Sequence, residues 1–121
     1  NQAFAYGSAF SRAMAVTREG VNTLYISGTA SIGAKGETLY RGDPEVQSVE
    51  TLLSIGALLE DQGGSLEDIC QATLFCKDRE SFEAYERVVR QLGVPHFPTV
   101  SVIADICRHD LSIEIEAIAV I

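Results

Sequence analysis

The chain has 121 residues, and its nine basic and seventeen acidic side chains give a formal net charge of −8. This length suits a single domain, residues 1–121, with one hydrophobic core. Nucleic-acid-binding proteins usually carry a basic surface that displaces counterions from phosphate, whereas the cations here are scattered along an acidic chain. No apolar run approaches the roughly 20 residues that cross a bilayer. We therefore expect neither a nucleic acid nor a membrane as a partner.

The three cysteines, Cys70, Cys76 and Cys107, are odd in number and show no Cys-x-x-Cys spacing. This pattern predicts neither a disulfide framework nor a zinc site. His96 and His109 also lack the spacing of metal ligands, so we predict no metal and no cofactor. No signal peptide is visible, and unpaired thiols fit a reducing compartment, so the expected location is the cytoplasm.

Two strands are expected first, at 10–16 and 23–27. Between them, Gly20 and Asn22 favour turn geometry, so the two strands should form a hairpin. Four glycines then predict a loop over 28–42.

The first predicted helix starts at Asp43 and Pro44, because aspartate can cap free N–H groups and proline suits the first helical position. Gly63 and Gly64 should end it. Between these signals, apolar residues recur at helical spacing: Val46, Val49, Leu52, Leu53, Ile55 and Leu59.

A third strand is expected at 69–77, followed by a second helix. Asp78 should cap this helix, and Gly93 and Pro95 should end it. The inner face of the helix is predicted to consist of Phe82, Tyr85, Val88, Val89 and Leu92.

The last two strands are expected at 100–107 and 113–121, joined by the polar turn 108–110. The order ββαβαββ predicts an α+β fold, in which two helices cover one face of a mixed sheet. The last three strands carry apolar side chains on both faces, although a solvated face should alternate more cleanly with polar residues. We therefore expect other copies of the chain to bury the second face in a closed, symmetric assembly.

The sequence resembles the RidA (YjgF-like) superfamily from about Tyr6 to its last residue. The most specific match is the closing Glu-Ile-Glu-Ala-Ile-Ala-Val segment at 114–120. The other matching segments are 24–28, Gly42-Asp43 with Gln47, 58–60, 64–69, 75–78 and Phe97-Pro98. The resemblance implies a chorismate-mutase-like fold, a homotrimer and three clefts at the subunit interfaces.

The deaminase branch of this superfamily hydrolyses reactive enamines and imines. It binds the substrate carboxylate with an arginine two residues after the Phe-Pro pair, where this chain has Val100. Phe10 stands in the place of a tyrosine near the first strand, and Glu86 aligns loosely with an asparagine of the second helix.

Two other stretches resemble the C-terminal domain of chorismatases, which hydrolyse chorismate or eliminate its pyruvate. They are 10–13 with 26–32, and 105–108 with Leu111. Chorismatases also carry an N-terminal domain that contributes to their site, and it has no counterpart in these 121 residues.

Glu114 is the first candidate for catalysis, because the resemblance places it on the acid/base glutamate of the family. A carboxylate in an interfacial cleft can orient a water molecule or transfer a proton. The alternative is a solvated strand glutamate beside Glu116, for which we expect a structural pairing role.

Arg12 and Arg108 are the candidates for binding a substrate carboxylate, because a guanidinium group can bind it through two hydrogen bonds. Arg12 could instead pair with a glutamate of a neighbouring subunit, and Arg108 could be a solvated turn residue. The remaining expected pocket residues are Phe10, Ser27, Gly28 and Cys107, although Cys107 could also be a packed thiol.

The expected function is that of a homotrimer that binds a small carboxylate-bearing metabolite between its subunits and catalyses its water-dependent hydrolysis or elimination. Enamine or imine deamination is one alternative, with Arg12 or Arg108 replacing the missing arginine. Non-enzymatic ligand sensing is another. Ribonuclease activity is a further hypothesis, but the net negative charge of the chain argues against it.

Overall fold

A computed structural model of the protein describes residues 13–106 and 108–121. They form five strands and two α-helices: β1 (Ala13–Arg18), β2 (Val21–Thr29), α1 (Pro44–Asp61), β3 (Ile69–Cys76), α2 (Arg79–Leu92), β4 (Thr99–Ile103) and β5 (Ile113–Val120). A short 3₁₀-helix, Leu66–Asp68, precedes β3. The strands make one mixed sheet in the order β1-β2-β5-β3-β4, in which only the β3–β4 pair is parallel. The predicted ββαβαββ order and α+β class are confirmed. Neither helix is long and apolar enough to cross a membrane.

The first two strands form the predicted hairpin, but its turn is tighter than expected. Arg18 pairs with Val21, and the two residues between them, Glu19 and Gly20, have φ angles of 53° and 80°. Positive φ at both central residues matches the twist of two antiparallel strands. The strands therefore continue beyond the predicted limits, to Arg18 in β1 and from Val21 to Thr29 in β2.

Both predicted helix caps are present. The Asp43 carboxylate accepts a hydrogen bond from the Val46 N–H at 3.1 Å. The Asp78 carboxylate accepts bonds from the backbone N–H and the hydroxyl of Ser81, at 2.8 and 2.7 Å. These two bonds hold the pKa of Asp78 below its usual value. Gly93, with φ at 63°, ends α2 in the left-handed conformation.

The core lies between the two helices and one face of the sheet. Its largest fully buried apolar side chains are Leu24, Ile55, Leu59, Leu74, Leu111, Ile113 and Ile115. The prediction that Leu92 faces the core is wrong, since its side chain is 62% exposed. Leu92 is the last residue of α2, and the core contacts of this helix end at Val88 and Val89.

The fourth strand is shorter than the predicted range 100–107. It pairs only with β3, and the pairing ends where Ile103 meets Cys76. One further bond runs from the Ala104 N–H to the Cys76 carbonyl at 3.0 Å. Beyond Cys76 the chain turns to cap α2, so β4 has no partner past this point.

The second face of the sheet, directed away from the helices, is called the open face below. The registers place alternate residues of all five strands on it. It includes several apolar side chains that are 43–64% exposed: Met14, Tyr25, Val100 and Val120. Among residues 13–106 and 108–121, no layer comparable to the helices covers this face.

Replacing Asp78 with alanine should lower the free energy of unfolding by about 1 kcal/mol at neutral pH, because the helix loses its cap. The pKa of Asp78 is lower in the folded than in the unfolded chain. Its stabilising contribution is therefore present above the unfolded pKa and disappears as the pH falls through the folded pKa.

Urea unfolding at neutral pH and at about pH 3 measures this difference. Asp61→Ala, at the exposed end of α1, is the matched control and should leave stability nearly unchanged. An Asp78→Ala protein as stable as the parent at neutral pH would show that the cap contributes nothing.

Candidate functional site

A β-bulge in β2 lies at the two predicted site residues Ser27 and Gly28. On either side of them, Ile26 pairs with Ala117 and Thr29 pairs with Ile115. The chain therefore advances three residues in β2, from 26 to 29, while the paired positions in β5 are only two residues apart. A bulge of this kind bends its strand and redirects the neighbouring groups.

The bulge brings Gly28 against the side chain of Glu114. Glu114 is half-buried on the open face, where it pairs with Phe75 of β3. Its Cδ lies 3.0 Å from the point that a Cβ at Gly28 would occupy, and its Oε2 lies closer still. The carboxylate therefore fills the space that a larger residue at position 28 would need.

Ser27 lies beside the same part of the open face. It lines a depression of about 370 Å³ together with Ala13, Met14, Tyr25 and Ile26. A second depression, of about 210 Å³, lies on the other side of Tyr25 and includes Gln71, Thr73 and Glu116. Glu116 is exposed, unlike Glu114, so the two glutamates of β5 occupy different surroundings.

Arg108 is held by the loop that precedes α1. Its Nη1 donates a hydrogen bond to the carbonyl oxygen of Gly36. Among the described residues this is its only side-chain hydrogen bond, and it makes no ion pair with Glu114. The guanidinium group of Arg108 is therefore held through Nη1. Its other N–H donors have no partner among the described residues.

Gln47 connects this loop to the turn that carries Arg108. Its side chain is fully buried. Its amide Nε2 donates to the carbonyl oxygens of Tyr40 and Asp110, each at 3.2 Å, and its Oε1 accepts from the Ser112 N–H at 2.8 Å. This role has no local signal in the sequence, because Asp110 and Ser112 lie more than 60 residues after Gln47 in the chain.

Asp110 strengthens the same connection. Its carboxylate accepts a hydrogen bond from the Thr38 hydroxyl at 2.8 Å and forms an ion pair with Arg41 at 3.3 Å. The bond from Thr38, followed by the nearby charge of Arg41, keeps the pKa of Asp110 below its usual value.

Three predicted site residues, Phe10, Arg12 and Cys107, lie outside the described residues. Within the described ranges, no group of three or more histidine, cysteine or acidic side chains is placed to hold a metal ion. Cys70 is an exposed free thiol. Burial raises the pKa of Cys76 to about 11, so this thiol stays protonated at neutral pH.

The contact between Gly28 and Glu114 predicts that Gly28→Ala displaces the carboxylate and lowers the free energy of unfolding by about 1 kcal/mol. The cost should be small because the end of a glutamate side chain can move. In combination with Glu114→Ala, the alanine at position 28 should no longer be destabilising.

Urea unfolding of the two single variants and the double variant measures this coupling. Gly56→Ala is the control, because nothing lies within 4 Å of an added Cβ at this helical position and the change should raise stability. Additive effects of Gly28→Ala and Glu114→Ala would mean that the two residues are not in contact.

Comparison with known proteins places this arrangement in a family. The model for the family described as endoribonuclease L-PSP matches residues 1–121. A RutC family protein of Pyrococcus horikoshii is 34% identical over 99 residues, which cover 81% of this chain and 79% of the relative.

Two solved structures support the same assignment. RidA from an Antarctic Psychrobacter has a TM-score of 0.78 and 26% identity, over 95% of this chain and 90% of that protein. A chorismatase has a TM-score of 0.76 and 25% identity, over 93% of this chain and 36% of the chorismatase. The RidA-like fold and the partial likeness to chorismatases are thus confirmed, and the chain belongs to the endoribonuclease L-PSP family.

Proposed function

We propose that three copies of this chain assemble through the open face and bind a small carboxylate-bearing metabolite in the clefts between them. Support comes from the exposure of Met14, Tyr25, Val100 and Val120 on one face of the sheet. Apolar surface is disfavoured in water, and exposed apolar patches are typical of interaction sites. Identical chains commonly bury such surfaces in closed, symmetric assemblies. The proposed number of three subunits rests on the resemblance to the RidA superfamily.

Glu114 is the proposed acid/base residue of each cleft. It lies on the proposed assembly face, and its carboxylate lies against Gly28 at the bulge. A neighbouring subunit would separate this half-buried group from bulk solvent and so increase its effect on a bound substrate and a bound water molecule. The contact between Glu114 and Gly28 is the observation that carries the proposal.

Arg108 and Arg12 are the proposed anchors for the ligand's carboxylate. A chain with a net charge of −8 needs a specific cation to attract an anionic ligand. The bond from Arg108 to Gly36 orients the guanidinium group and leaves donors available for a bidentate interaction. Phe10, Ser27 and Cys107 are proposed to line the same cleft.

The proposed reaction is water-dependent hydrolysis or elimination. Glu114 would take a proton from water as its oxygen attacks the substrate, or from the substrate itself in an elimination, and would return a proton to the leaving group. The likeness to a chorismatase over most of the chain supports this reaction class. Deamination is less favoured, because Val100 places an exposed apolar side chain where the deaminase branch has its arginine.

Chorismate turnover by Glu114→Gln and Glu116→Gln tests the assignment. Each variant replaces one glutamate on the open face of β5 with a glutamine, which has nearly the same size but no charge. Loss of the proposed acid/base group should reduce turnover roughly 100-fold. The Glu116→Gln control should stay within a few-fold of the parent, because a structural pairing role rather than a catalytic one is expected for Glu116.

Equal turnover by the two variants would remove Glu114 from the mechanism. Ammonia release from 2-aminoacrylate by the unmodified protein, without conversion of chorismate, would favour deamination instead. Chorismate binding without turnover would favour a ligand sensor.

A further inference from the structure

A cavity on the opposite side of the sheet has no role in the proposed clefts. It lies between α2 and the β3–β4 edge and has a volume of about 340 Å³. Thr99 and Ser101 contribute to it from β4, where they pair with Ala72 and Leu74 on the helix-facing side. The cavity is called the helix-side cavity below.

The lining of the helix-side cavity is mostly apolar and includes three aromatic rings. Phe82, Tyr85 and Val89 come from α2, and Val94 and Phe97 from the segment that follows it. Aromatic walls favour flat apolar ligands. The volume lies at the lower end of the roughly 300–1,000 Å³ typical of ligand pockets, so the cavity suits a molecule with one ring.

Tyr85 lines this cavity and carries a polar group that has no hydrogen-bond partner among the described residues. The residue is only 7% exposed, and its hydroxyl makes no hydrogen bond with another described residue. Buried tyrosine hydroxyls usually have a partner. Burial, with a smaller contribution from neighbouring Cys76, raises the pKa of Tyr85 to about 12, so the hydroxyl remains a donor at neutral pH.

Three charged or titratable side chains also line the cavity: Glu86, Arg90 and His96. Arg90 and His96 are exposed lining residues, and neither forms an ion pair with a described residue. Arg90 can therefore bind a carboxylate. Glu86 also lines the cavity and opposes additional negative charge. This combination favours a ligand with a single carboxylate over a dianion.

We propose that the helix-side cavity is a second ligand site, which takes a small aromatic monocarboxylate. The ring would lie between Phe82, Val89 and Phe97. The carboxylate would pair with Arg90 and accept a hydrogen bond from the Tyr85 hydroxyl. The site is formed by residues of one protomer, so binding does not depend on the open face or on Glu114.

The proposed test uses 4-fluorobenzoate as the probe, with fluorine and amide NMR. In the unmodified protein, we expect shifts centred on Val89, Val94 and Phe97. Arg90→Gln should weaken binding about threefold to tenfold, because a charge-assisted contact is lost. The matched control is Arg87→Gln on the same helix, whose side chain pairs with Glu45 at 3.6 Å and does not line the cavity. It should bind the probe like the parent.

Tyr85→Phe provides a second measurement. It should also weaken binding of 4-fluorobenzoate, whereas the melting temperature without the probe should not fall, because the lost hydroxyl has no described partner. The proposal is overturned if 4-fluorobenzoate shifts only residues of the open face, or none at all. It is also overturned if Arg87→Gln and Arg90→Gln weaken binding equally.

Discussion

The two faces of the sheet differ in how well they are protected from water, and this difference governs both the fold and the proposed site. On the helix side, Ile55, Leu74 and Ile113 are at most 1% exposed. On the open face, Val100 is 64% exposed. Because strand residues alternate between faces, a register slip of one residue would exchange the two sets. The covered core therefore also determines which side chains the open face presents.

The bulge in β2 links this register to the candidate site. Leu24, Ile26 and Thr29 are all buried, although three positions separate the last two. The extra residue of the bulge makes this possible and places Gly28 beside Glu114. On the covered side, Gln47 connects the core to the turn that carries Arg108. The positions of Glu114 and Arg108 thus depend on the packing of the fold as well as on their own contacts.

Features with local signals could be predicted from the sequence. The caps at Asp43 and Asp78 and the left-handed end at Gly93 each depend on residues within one helical turn. The bulge could not be predicted, because it is defined by the pairing of β2 with a strand almost 90 residues later. The connecting role of Gln47 likewise depends on a partner 63 residues away, Asp110. Phe10, Arg12 and Cys107 lie outside the described residues and remain predictions.

Sedimentation velocity measures most directly whether copies of the chain cover the open face. The 13.1 kDa chain should sediment as a trimer at micromolar concentration. Val100→Asp should dissociate the trimer while Leu53→Asp should not, although the two side chains are 64% and 63% exposed, because Leu53 lies on α1, away from the open face. Circular dichroism would verify that both variants fold. An unmodified chain that sediments as a folded monomer would contradict the proposed burial of the open face, and so would equal dissociation of the two variants.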